Sequence, residues 1–203
     1  MKKFALILFF GFVFCSSAQA DKVDIKRIEN YLNNIKSLQA GFVQMASNGG
    51  VAEGKIYISK PSKIRMEYTA PDPLLIVGNG DYIIYNDKEL DQITNIDYKD
   101  IPATMILTKQ IKFNNKDLKI TDLYSDSGQT SITVEMPGNP SVKPITLIFD
   151  NEPFRLKQWK LIDPQNIEVT LSLFDIEQDV NLPESLFKFD KKSSRSNSKA
   201  GRK

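Results

Sequence analysis

From about residue 54 onward, apolar side chains fall on alternate positions in one segment after another. In GKIYIS, Ile56 and Ile58 alternate with Lys55 and Tyr57. In KIRMEY, Ile64, Met66 and Tyr68 face one way while Lys63, Arg65 and Glu67 face the other. Ile132, Val134 and Met136 are separated by Thr133 and Glu135, and Ile145, Leu147 and Phe149 follow the same rule. Ile167, Val169, Leu171 and Leu173 oppose Glu168, Thr170 and Ser172. Successive side chains of a strand point to opposite faces, so this spacing predicts antiparallel strands with one apolar and one wet face. Turn signals recur between them: Asn48-Gly49-Gly50, Asn79-Gly80, Asn86-Asp87, Ser127-Gly128, Asp150-Asn151 and Asp163-Pro164. Several strands joined by tight turns make a meander that curls into a barrel or a sandwich.

Two segments depart from the period of two. The stretch DKVDIKRIENYLNNIKSLQ spaces Val23, Ile25, Ile28, Leu32 and Ile35 near 3.6 residues apart, which predicts an amphipathic helix of about four turns. Residues 101–110, IPATMILTKQ, place Pro102 at a helix start before the apolar cluster Met105, Ile106 and Leu107. That pattern predicts a short internal helix. With no internal repeat and no linker, residues 21–190 read as one α+β domain, mainly β, with two helices against a curved sheet. A helix of about 15 residues, roughly 22 Å long, covers only part of such a sheet's concave face. Composition alone favours a fully packed core over an open cavity.

The first twenty residues are a different kind of sequence. Lys2 and Lys3 precede an apolar run from Phe4 to Phe14, and Ala18-Gln19-Ala20 gives a small-x-small pattern before Asp21. The run is shorter than the ~20 residues that cross a bilayer. Residues 1–20 therefore read as a signal peptide, with the exported chain starting at Asp21. Lipidation at Cys15 would want small residues before it, and Phe14 is bulky. The remainder has no cysteine, and a chain of this length buries a core without disulfides.

Charge and inventory narrow the function. Removing Lys2 and Lys3 from the 27 basic residues leaves 25, against 25 acidic. Six of these basic residues lie in the tail, residues 191–203, which reads as a disordered, solvated end. Residues 21–190 therefore hold 19 basic and 25 acidic groups, a net of −6, which does not suit nucleic acid. The chain contains no histidine, and its one cysteine is Cys15. Imidazole- or thiol-based catalysis and His/Cys zinc sites are thereby excluded. Asp87, Glu89 and Asp91 could supply paired carboxylates, but they fall in a polar turn. No G-x-S-x-G elbow, phosphate-cradling glycine loop or calcium loop is present. The inventory points away from an enzyme, from metals and from cofactors.

The central stretch carries a specific resemblance. Phe42 and Gln44 are followed by Gly54, Lys60-Pro61, Arg65, Glu67 and Tyr68. Then come Pro71-Asp72-Pro73 with Leu75-Ile76-Val77, Asn79-Gly80, and Tyr85 before Asp87-Lys88-Glu89-Leu90-Asp91-Gln92. This ordered set resembles the periplasmic outer-membrane lipoprotein carrier family LolA, in its alphaproteobacterial form. The resemblance covers most of residues 25–190 and is dense over 42–107.

The resemblance implies an unclosed antiparallel β-barrel whose concave apolar face is lidded by the N-terminal and internal helices. It implies a monomeric periplasmic carrier that takes lipoprotein acyl chains from an ATP-driven, ABC-type inner-membrane complex to an outer-membrane receptor. No cofactor is implied. The implied acyl-binding lining is Ile64, Met66, Tyr68, Leu75, Val77, Tyr85, Met105, Leu107, Leu147, Phe149 and Leu171. Many members have an arginine before the proline at the end of the second strand, where it holds the lid closed. Here that position is Lys60, which keeps the charge and loses the planar fork of donors. Arg65, by alternation, belongs to the wet face and reads as a surface charge. Two other functions fit the same pattern: the outer-membrane receptor of that pathway, and an envelope enzyme or sensor on a similar half-barrel.

Overall fold

The structure is a computed structural model that describes residues 25–70 and 73–190. Residues 1–20, read from sequence as a signal peptide, and residues 191–203, read as a basic tail, lie outside the described residues. Helix α1 (Ile25–Asn34) leads into β1 (Ser37–Ala46), β2 (Val51–Ser59), β3 (Lys63–Ala70), β4 (Leu74–Gly78), β5 (Ile83–Asp87) and β6 (Gln92–Ile96). Short 3-10 turns at Tyr98–Asp100 and Pro102–Leu107 follow. The chain continues through β7 (Lys119–Ser125), β8 (Gln129–Glu135), β9 (Ile145–Asn151), β10 (Phe154–Ile162) and β11 (Glu168–Gln178), and a last 3-10 turn spans Glu184–Phe187.

The eleven strands form one antiparallel sheet in the order β6-β5-β4-β3-β2-β1-β11-β10-β9-β8-β7. Two meanders, β1 to β6 and β7 to β11, are thus joined by the pairing of β1 with β11. Strands β6 and β7 are the two edges, so the sheet is an unclosed barrel. Registers follow the hydrophobic alternation: Ile56 pairs with Met66 and Ile58 with Ile64, while Trp159 lies between Leu147 and Leu171. Bulges in β3, β7, β10 and β11 sharpen the curl. At one of them Gly54 is required by space, because a Cβ there would stand 2.1 Å from the Glu67 carbonyl oxygen.

Helix α1 is shorter than its apolar spacing predicts, since Ser37, Leu38 and Gln39 belong to β1. Asn33 and Asn34 end it. Asparagine is a poor helix former, and the Asn33 side chain is engaged with backbone elsewhere (below). The internal helix is a 3-10 helix, Pro102–Leu107, with Pro102 at its first position.

The concave face of the sheet is the core. Phe42, Ile56, Ile132, Val134, Ile145, Leu147 and Phe149 have no exposed surface, and Ile28 and Leu32 of α1 pack onto them together with Met105, Ile106 and Leu107. Tyr31 sets its ring edge against Phe149 and Phe154, which stack on each other.

Candidate functional site

The concave face is covered at one end and open at the other. Covering depends on a small set of polar ties at the β2–β3 turn. The Lys60 ammonium donates to the Leu32 carbonyl at 2.8 Å, its backbone N–H to the Lys36 carbonyl, and the Ser62 N–H to the Leu107 carbonyl. Tyr98 donates its hydroxyl to the Ser62 carbonyl and accepts from the Gly80 N–H. One turn therefore anchors both covering elements.

Those elements are also tied to each other. The Asn33 side chain donates to the Ile111 carbonyl at 2.9 Å and accepts from the Ile111 N–H at 2.7 Å, and Glu29 accepts from the Phe113 N–H. Helix α1 and residues 102–113 consequently form one lid. Asn33 and Glu29 were not singled out from sequence, because a polar residue on an amphipathic helix reads as solvated.

Beneath the lid, Leu32, Ile35, Ile58, Lys60, Ile106 and Trp159 enclose a void of about 20 Å³. That is room for about one water molecule and far too little for an acyl chain. The structure is a closed state, with the packed core that composition favours. Lys60 has little compensation there: burial pushes its ammonium down from the ordinary lysine range to about 8. The same position thus holds the lid by one hydrogen bond and resists being covered by it.

At the other end, about 13 Å along β3 from Ile64 to Tyr68 at 3.3 Å per residue, the lining becomes polar. Gln44, Tyr68, Leu74, Tyr85 and Asp87 stand around an open pocket of about 320 Å³. The Tyr68 hydroxyl donates to Gln44 Oε1 at 2.8 Å, and its ring stands edge-on to Phe42. Burial and then the neighbouring Tyr85 push the Tyr68 phenol up; burial and then the Asp87 carboxylate do the same for Tyr85. Asp87 Oδ1 accepts from the Glu89 and Leu90 N–H groups.

Ile64, Met66, Tyr68, Tyr85, Leu147, Phe149 and Leu171 lie on the concave side of the sheet, with Met105 and Leu107 facing it from the lid. Leu75 and Val77 do not. Leu75 pairs with Glu67 and Val77 with Arg65, which puts both on the outer face, while Ile76 and Ile83 point inward. The physical cause is that β4 is covered on both sides, so it reads as the unbroken run Leu74-Leu75-Ile76-Val77 without a wet face to set the register.

The outer cover is the turn Glu184–Phe187. Phe187 is buried, Lys63 pairs with Glu184, and Arg65 donates to Glu67 at 2.6 Å and to the Leu186 carbonyl. Arg65 is therefore no free surface charge; it fastens the C-terminal segment to the back of β3. Among the described residues, no group of three or more His, Cys, Asp or Glu side chains could hold a metal ion.

Residues 33–190 match the family described as outer membrane lipoprotein carrier protein LolA. The chain belongs to that family. Its members are carriers and not enzymes. The chain is 29% identical over 182 residues to the outer-membrane lipoprotein carrier protein of Dechloromonas aromatica, covering 85% of each chain. It is 25% identical over 185 residues to that of Chromohalobacter salexigens, covering 86% of each. An uncharacterized protein of Rickettsia prowazekii is 28% identical over 194 residues, covering 93% of this chain and 88% of that one. A LolA superfamily protein from Nitrosomonas europaea superposes with a TM-score of 0.47 at 10% identity, over 83% of this chain and 99% of that one.

Proposed function

We propose that the chain carries lipoproteins through the periplasm by burying their acyl chains against the concave face of the sheet. The observation that carries this reading is the lid. A helix and a 3-10 segment cover an apolar sheet face, and ties to one turn, including a lysine that is costly to bury, keep them there. A core that only had to be stable gains nothing from a half-buried ammonium at its edge. A core that must open does.

In this reading acyl chains displace Leu32, Ile106 and their neighbours. Each buried CH₂ gains ~0.8 kcal/mol, so one long chain gains on the order of 10 kcal/mol. That is enough to compensate for parting the lid. The lining consists of Ile64, Met66, Tyr68, Tyr85, Leu147, Phe149 and Leu171 on the sheet, with Met105 and Leu107 retreating from it. Lys60 is the latch. The carrier works as a monomer, receives cargo from an ABC-type inner-membrane complex and hands it to an outer-membrane receptor. Residues 1–20 direct its export.

Trp159, the one tryptophan, lines the void under the lid and is 4% exposed. Titrating the mature chain with a diacylated lipopeptide should give a saturable change in its emission, with the peptide co-eluting in gel filtration. Unchanged emission and no co-elution would overturn the carrier reading.

A further inference from the structure

We infer that the outer surface of the lid is a docking face for anionic phospholipid bilayers, which it meets through exposed lysines. The inference goes beyond the carrier reading, because it concerns the surface on which the molecule settles, whatever lies beneath the lid.

The charge of the molecule is divided by position. The lid and the loop that continues it, residues 25–36 and 101–118, hold Lys26, Arg27, Lys36, Lys109, Lys112 and Lys116 against Glu29 and Asp117, a net of +4. The other described residues hold 12 basic and 20 acidic groups, a net of −8. A negative plane therefore attracts the lid and repels the remainder, which orients the molecule as well as holding it. All six basic side chains of the lid are exposed.

They point outward because the apolar residues between them point in. Ile28 and Leu32 are buried, and so are Ile111 and Phe113 on either side of Lys112. The hydrogen bonds of Asn33 to Ile111 and of Glu29 to Phe113 hold the two segments together, so their lysines share one surface. Five of the six basic residues are lysine. A compact ammonium on a flexible stem follows a fluid array of headgroups, whereas the planar fork of arginine suits the fixed carboxylates of a protein. Lysine on one face and Ile, Leu and Phe on the other is also the pattern of segments that lie in a bilayer interface. On the carrier reading, docking by this face sets the part of the molecule that must move beside the phase that acyl chains enter.

The test is cosedimentation of the mature chain with vesicles of phosphatidylcholine, with and without phosphatidylglycerol. Binding should require phosphatidylglycerol and fade as salt is added. The triple variant Lys109→Gln, Lys112→Gln, Lys116→Gln should bind at least about tenfold more weakly, since each charge near such a surface is worth roughly fivefold. Lys55→Gln, Lys143→Gln, Lys188→Gln removes the same charge from exposed positions outside the lid and should change binding by less than about twofold. Residues 191–203 carry six further basic groups, so both triple variants are also made with those six replaced by glutamine, where the contrast should persist. Equal loss from the two triple variants, or binding that follows the tail and ignores the lid lysines, overturns the inference. So does a parent chain that does not bind, or one that binds polyglutamate of matched charge more tightly than the vesicles, which assigns the lid to an acidic protein. None of these outcomes touches the carrier reading, which stands or falls on the lipopeptide titration.

Discussion

The two ends of the concave face share strands β1 and β2 and behave oppositely. At the Lys60 end the lining is aliphatic and aromatic, two covering elements close over it, and about 20 Å³ remains. At the Tyr68 end the lining mixes amide, phenol and carboxylate with Leu74, and about 320 Å³ stays open. Cover follows polarity. Apolar surface gains about 25 cal/mol per Å² by leaving water, whereas polar groups lose hydration unless they find partners. The lid therefore spans the part of the floor that benefits from it.

The largest contrast should come from the floor itself. Leu147 is fully buried between Ile132 and Trp159. Leu147→Ala should cost about 2–5 kcal/mol in urea unfolding. Leu147→Arg, which a permanently open cavity would tolerate, should not fold at all. A folded, stable Leu147→Arg chain would show that the closed end opens with little cost.

Next is the tie within the lid. Asn33→Ala leaves the Ile111 N–H and carbonyl without their partner and should weaken closure by about 1–3 kcal/mol. An environment-sensitive apolar dye should then bind more strongly, with Trp159 emission changing alongside. A dye signal equal to the parent's would mean that α1 and residues 102–113 move independently.

Lys60 should show itself through pH. Its ammonium holds its proton up to about pH 8 when covered, against an ordinary value of 10.5. Between those values an opened form, with Lys60 in water, holds more protons than the closed form. Closure should therefore strengthen as pH rises from about 8 toward 10.5, and the burden of the buried charge is fully present below about 8. Dye binding should fall across that window in the parent and stay flat in Lys60→Leu. A parent response that is flat or reversed would remove Lys60 from the lid mechanism.

The smallest effect belongs to the open end. Tyr68→Phe keeps the ring against Phe42 and loses the hydrogen bond to Gln44, which should cost about 1 kcal/mol in urea unfolding. Trp159 emission should not change.

Most of this architecture was legible in the sequence. Period-two alternation is a local signal, and β2, β3, β8, β9 and β11 repeat it wherever one face is buried and the other wet. Pro102 before Met105, Ile106 and Leu107 likewise marked the 3-10 segment. The failures share one cause, which is contact between distant parts of the chain. Leu75 and Val77 looked inward because nothing in LLIV shows that its outer face is buried as well. Arg65 looked solvated because its acceptor, the Leu186 carbonyl, lies 121 residues away. Asn33 and Glu29 were invisible as lid ties because their partners at Ile111 and Phe113 are backbone groups.

The free edges of the sheet carry a mechanical consequence. Strands β6 and β7 each have one hydrogen-bonded neighbour, and no ladder joins them. A closed barrel admits a wider guest only by stretching or breaking a ladder that runs around its whole circumference. An open one can unroll by a small change of twist at each of ten strand pairings, every main-chain bond remaining in place. Girth thus becomes a soft coordinate. On the proposed carrier reading, such a sheet admits cargoes of different bulk without breaking its ladders.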